Sequence, residues 1–198
     1  MQPSDLLKHR ILFLGEPISK PAVNLLVERL LLLDADDHGR QVDLYINCTG
    51  GDVLDALALI DVMHCIRARV STICIGQAAG IAAWILAAGA PGYRLATPNS
   101  EVKLQQFSTS ATGQTPPPGF LPPREAAGSY SHRLQELDSR LLRMLAEWTK
   151  QPEARIREDM GNDFFLTAQE AKAYGLIDSV LQPFAAPIPS GAGAGISP

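Results

Sequence analysis

Aromatic side chains are scarce in this 198-residue chain, only 6% of it, which argues against a surface that stacks nucleic-acid bases on rings. Charge is sparse as well. Seventeen Lys and Arg against 21 Asp and Glu leave a net of −4, and neither sign forms a long block, so the clustered basic footprint of a nucleic-acid binder is missing. Cysteine is limited to Cys48, Cys65 and Cys74, an odd number with no Cys-x-x-Cys spacing, which excludes a disulfide framework and a zinc ribbon. The opening run MQPSDLLKHRILFLGE meets charge before any long apolar region. No secretory signal is expected there, and a reducing, cytoplasmic setting follows. Val70 to Tyr93 carries no charged residue and is long enough to span a bilayer. Interruption by Gly76, Gly80 and Gly89 and a reliance on alanine make it a poor membrane segment, and it reads instead as a buried strand, turn and helix. No internal repeat is evident.

What is present is aliphatic: 46% of residues are hydrophobic. A chain of this length buries roughly 70% of its unfolded surface, enough for one full core without disulfides or metals. Ile11–Leu14 is a short apolar strand. Ser19, ahead of Lys20-Pro21, marks a helix start with serine as cap and proline in the first turn, and Leu25, Leu26, Leu30 and Leu33 carry that helix to a turn at 34–39. Val42–Ile46 is the next strand. Asp52 caps a helix with Leu54, Leu57, Ala58, Val62 and Cys65 at helical spacing. Val70–Ile75 reads as a strand, 76–79 as a tight turn and 80–88 as a small-residue helix. The alternation predicts an α/β fold with a mostly parallel sheet.

Beyond Gly89 the strands shorten, to 93–96 and 101–104. Residues 108–128 hold five prolines, which forbid helix and ladder and predict an irregular insert. A charged amphipathic helix is expected from about Ser129 to Thr149 and a shorter one from Pro152. Thr167-Ala-Gln-Glu170 is a capping box, and Gly175 fits the end of its helix. The expected organisation is a single domain over 1–182 and a low-complexity tail over 183–198 that is expected to be disordered.

Two glycine-containing turns follow strands, where an open parallel sheet places its sites. Gly50-Gly51 permits close approach of an extended peptide or an anionic oxygen, and the turn ending at Gly80 starts a helix at the same edge. Together they form a candidate oxyanion hole of main-chain donors; the competing reading is that each glycine only makes a turn. A nucleophile with its base is missing, because the second turn reads Ala78-Ala79-Gly80-Ile81. His9, His38, His64 and His132 fall in terminal, turn and helix-face positions expected of solvated or packed residues. Cys48 reads as a small buried residue at a strand end, and Asp52 with Asp55 as capping and dipole compensation rather than a metal pair. Neither a metal nor a cofactor is expected.

The segments RILFLGEPI (10–18), LYIN..GG (44–51), VSTICIGQAA (70–79), AAGAPGYRLATPNS (87–100) and FFLTAQEAKAYGLIDSV (164–180) occur in order over most of the chain. In them the sequence resembles the ClpP family, the proteolytic subunits of ATP-dependent Clp proteases, from about Leu7 to Leu181. The resemblance implies a ClpP/crotonase-like spiral of ββα units with a protruding helical handle. It also implies a Ser–His–Asp triad, whose serine position is held here by Gly80 and whose histidine position by Gln105, while Asp163 retains the aspartate. The oxyanion donors fall at Gly50 or Gly51 and at Ile81. Glycine has no side-chain oxygen, and a glutamine amide cannot take a proton at neutral pH. The resemblance is therefore closest to non-catalytic, ClpR-type subunits, which implies mixed heptameric or tetradecameric rings with an active ClpP paralogue.

In the pocket that receives loops of a Clp AAA+ ATPase, Tyr45, Ile73 and Ile75 fit the family's apolar pattern. Asp43, Cys65 and Thr97 replace bulkier apolar residues, which weakens ATPase docking. The arginine implicated in ring-to-ring contact is Asn162 here. Two other readings are carried: a peptidase with a displaced nucleophile at Ser108 or Ser110, and a crotonase-like acyl-thioester binder using the Gly50-Gly51/Ile81 cradle. No basic cluster suited to coenzyme A lies near those turns.

Overall fold

Ile11–Leu14 (β1) and Val42–Cys48 (β2) alternate strictly in burial. Leu12, Leu14, Val42, Leu44, Ile46 and Cys48 are turned into one core, and Phe13, Asp43 and Tyr45 to the other face. The period of two is what a strand requires. The structure, a computed structural model, describes residues 3–105 and 124–182. Its remaining elements are the helices Pro3–Lys8 (α1), Lys20–Asp36 (α2), Val53–Cys65 (α3), Ile81–Ala87 (α4), Arg124–Thr149 (α5), Glu153–Gly161 (α6) and Ala168–Tyr174 (α7). The other strands are Val70–Ala79 (β3), Arg94–Ala96 (β4), Glu101–Leu104 (β5), Phe164–Thr167 (β6) and Ser179–Val180 (β7).

The sheet runs β1-β2-β3-β4-β7, every pair parallel. The second half of β3 changes partner to β5, also parallel, and β5 pairs antiparallel with β6. This mixed, seven-stranded α/β architecture agrees with the expected ClpP fold. The sheet is mostly parallel because helices return the chain between strands, as the alternation predicted.

Local chemistry fixes the helix ends. Asp52 caps α3 by accepting from the N–H groups of Leu54 (2.8 Å) and Asp55 (2.9 Å). Thr167 and Glu170 complete a capping box, and Gly175 closes α7 in the left-handed region at φ 94°. Ser19 precedes α2 as expected, but its side chain makes no cap hydrogen bond; Pro21 in the first turn removes one of the donors a cap would serve. The C-terminal end of α2 is instead held by buried Arg10. Its guanidinium donates to the carbonyls of Leu33, Asp37, Arg40 and Gln41 at 2.8–3.1 Å, a cation at the negative pole of the helix.

The most buried helix is α4, all seven residues of which lie in the core. Thr72 Oγ1 donates to the Leu86 carbonyl (2.7 Å) and Trp84 Nε1 to that of Leu141 (3.0 Å), tying α4 to the sheet on one side and α5 on the other. At the far side of the sheet Arg94 clamps β4 to the chain entering β7. It reaches both carboxylate oxygens of Asp178 (2.6 and 3.0 Å) and the Gly175 carbonyl (2.9 Å).

Two expectations are corrected, and three short elements are added. Residues 76–79 are not a tight turn, because β3 continues to Ala79 through a bulge. Ile46 pairs with Cys74 but Cys48 with Ala78, and Gly76 absorbs the extra length at φ 76°. Residues 124–128 of the expected insert are helical, at the start of α5; the insert from 108 to 123, with Ser108 and Ser110, and the tail 183–198 lie outside the described residues. Helix α1 precedes β1, and β6 and β7 are short strands that periodicity alone did not mark.

Candidate active site

The bulge in β3 decides what meets at the carboxyl edge of the sheet. Because Cys48 pairs with Ala78, the Gly50-Gly51 turn lies against the end of β3. A Cβ on Gly50 would stand 3.0 Å from the Ala79 carbonyl oxygen and 3.8 Å from the Ile81 nitrogen; only glycine admits that approach at φ 105°. The Gly50 N–H is taken by Cys48 Sγ (3.4 Å), and its carbonyl accepts from the Ile18 N–H (2.9 Å). Gly51 forms a parallel bridge with Ile18 in which Ile18 supplies both hydrogen-bonding groups, to Gly50 and Asp52. The amide of Gly51 therefore faces away from Ile18. Ile81 is the first residue of α4, so its N–H has no partner within the helix.

Between these two segments lies Gly80, at φ 54° and ψ −132°. This conformation, on a sharp strand-to-helix turn, is the kind that exposes a nucleophile in hydrolases of the elbow type. Its N–H donates to the Lys103 carbonyl (3.0 Å), which draws the end of β5 alongside. A Cβ on Gly80 would meet the Gln105 Nε2 at 3.1 Å. Positions 80 and 105 are thus neighbours. The antiparallel register sets Leu104 opposite Phe164, and one step further sets 105 opposite 163. The structure so brings together Gly50, Gly51, Gly80, Ile81, Gln105 and Asp163 from four separate stretches of chain.

The carboxylate of Asp163 is not on Gln105, however; its Oδ2 stands 3.2 Å from Lys103 Nζ. Lys103 was missed in the sequence reading, although the period of two places it on the same strand face as Gln105. Asp163 itself adopts φ 51°, a left-handed turn that aspartate tolerates better than most residues, where the chain leaves α6 for β6.

The neighbouring thiols offer no substitute nucleophile. Cys48 is buried, donates to the Glu16 carbonyl (3.2 Å), and has its pKa pushed up by that burial. Burial likewise raises the Cys74 thiol to about 11. A thiolate is the reactive form, and both sites disfavour it. His9 and His38 are exposed, and exposed His64 bonds through Nε2 to the Ala88 oxygen (2.9 Å). The His132 side chain lies outside what the structure describes.

The positions expected to line an ATPase pocket divide. Tyr45 and Ile73 are partners in the β2–β3 register, in one row with Phe13 and Leu95, and Ile75 lies on the same face. Cys65 is exposed at the end of α3, in the helix layer, and is not part of that row within one chain.

A strand–glycine–helix elbow, a Gly-Gly turn beside it and a carboxylate across the next ladder are the layout that the expected acyl-transfer scaffold of the serine-peptidase kind calls for. More specifically, residues 2–184 match the family described as Clp protease, and the chain belongs to that family. Members of this family assemble as oligomeric rings. No helix among the described residues is long and apolar enough to cross a membrane.

Proposed function

We propose that this chain is a non-catalytic, ClpR-like structural subunit of an ATP-dependent Clp protease core. As a single domain through residue 182, it would complete the proteolytic chamber with active ClpP subunits in mixed rings in the cytoplasm. One observation carries the reading: positions 80 and 105 meet, with the glycine cradle beside them, and they carry neither a hydroxyl nor an imidazole, only a hydrogen on Gly80 and an amide on Gln105. Without an oxygen at position 80 no acyl-enzyme forms on this elbow. Donors alone leave only the residual catalysis over water that remains when a triad is removed.

The test has two arms. A serine-reactive fluorophosphonate probe should fail to label the purified chain, and peptide hydrolysis should be absent; labelling at any serine would establish a displaced nucleophile instead. Native mass is then measured alone and with the active paralogue from the same cell. Entry into rings with the paralogue supports the structural role, whereas failure of the two to associate rejects the mixed-ring assignment. Weak binding of the ATPase by rings enriched in this chain would agree with the replacements at Asp43, Cys65 and Thr97.

A further inference from the structure

Lys103 and Gln105 share one face of β5, and Val102 and Leu104 are buried on the other. Across the ladder Lys103 is the direct partner of Phe165. Its ammonium lies 4.8 Å from that ring's centroid and 3.2 Å from Asp163 Oδ2. Two groups at the entrance of β6 therefore hold one cation. The lysine is the more enclosed partner, with its side chain 20% exposed against 64% for Asp163. Its backbone is engaged too, since the Lys103 carbonyl receives the N–H of Gly80.

This arrangement has a chemical consequence for position 105. In a triad the carboxylate accepts the second N–H of the imidazole, which fixes its tautomer and stabilises its charged form. Here the carboxylate faces an ammonium, and that ammonium is two residues from position 105 on the same face. A base placed at 105 would lose its acceptor and gain a like charge, both of which disfavour the imidazolium. The other acid on this face of β5, Glu101, is exposed and lies one further step back along the strand.

We propose that Lys103 is a positioning residue of the emptied site: its ammonium withdraws the Asp163 carboxylate from position 105 and uses it to fasten β5 to the start of β6. The site is thereby disarmed at all three triad positions, two by replacement and the third by capture. The inference rests on the assignment of 80, 105 and 163 as the triad-equivalent positions.

The experiment introduces an imidazole as a reporter and reads its pKa by NMR titration. In Gln105→His the carboxylate remains with Lys103. In Gln105→His/Lys103→Met the cation is gone and the side-chain bulk is kept, and the imidazole pKa should rise by about one unit. Adding Asp163→Asn should abolish most of that rise. An unchanged pKa on removing Lys103 overturns the proposal. So does a rise that persists with Asp163→Asn, since the lysine would then act only as a nearby charge. Should the methionine variant be insoluble, Lys103→Gln keeps a polar tip over Phe165 and gives the same comparison. Fluorophosphonate labelling of the unmodified chain tests the non-catalytic reading separately, because its outcome does not depend on where the Asp163 carboxylate points.

Discussion

Restoring a side chain at the elbow separates backbone strain from missing chemistry. At φ 54° and ψ −132°, position 80 suits glycine; any other residue there costs on the order of 1–3 kcal/mol. Against this, replacing glycine reduces the entropy of the unfolded chain by about 0.4–1 kcal/mol. The new Cβ would meet Gln105 Nε2 at 3.1 Å, the far end of a flexible side chain, so crowding adds little. Gly80→Ala should therefore lose about 1–2 kcal/mol, or roughly 2–8 °C in Tm for a chain of this size. Gly80→Ser should lose less, because its hydroxyl can accept from the Gln105 amide, a bond worth about 0.5–1.5 kcal/mol. Calorimetry on both variants checks the ordering glycine above serine above alanine. Peptide hydrolysis by Gly80→Ser should stay at background, since Gln105 takes no proton. Activity in that single variant, lost again with Asp163→Ala, would show that another group serves as base and would refute the triad reasoning. A gain in stability for Gly80→Ala would refute the strain.

Burial raises the Asp178 carboxyl, but its hydrogen bonds to Arg94 and Gly92 outweigh this and hold its pKa below the ordinary value. Its stabilisation is therefore present above about pH 4 and lost as pH falls through the depressed pKa. Asp178→Asn should cost about 2 kcal/mol at neutral pH, below the range for fully buried pairs because solvent reaches the site, and should flatten the acid-side fall of the urea midpoint. Native thiol titration of the isolated chain should find one reactive group, exposed Cys65, with buried Cys48 and Cys74 reacting only on unfolding. Asp52→Ala removes both cap bonds of α3 and should lower stability by about 1 kcal/mol in denaturant melts. Gly51→Ala would drive a Cβ into the Ile18 carbonyl oxygen. This is a backbone clash with no flexible partner, so its loss of stability should exceed that of Gly80→Ala.

How much was legible follows the range of the forces involved. Asp52 as a cap, Thr167 with Glu170 as a capping box and Gly175 as a left-handed terminus are contacts between near neighbours, so residue types and spacing sufficed for them. The alternation of strands and helices, and the lack of a hydroxyl at position 80 and of an imidazole at position 105, were likewise in the sequence, because composition at a position does not depend on folding. Register between distant strands was not. Whether Gly76 makes a turn or a bulge depends on β3 leaving β4 for β5, and only that choice sets Gly50 against Ala79. The Lys103–Asp163 pair needs β5 and β6 to be antiparallel in one particular register. Cys65 lies apart from Tyr45 because α3 packs in the helix layer, a separation that spacing along the chain cannot express. Near-neighbour hydrogen bonds were written in the sequence, whereas the company each site residue keeps was decided by which strand edges paired, a choice made by burial of the whole core.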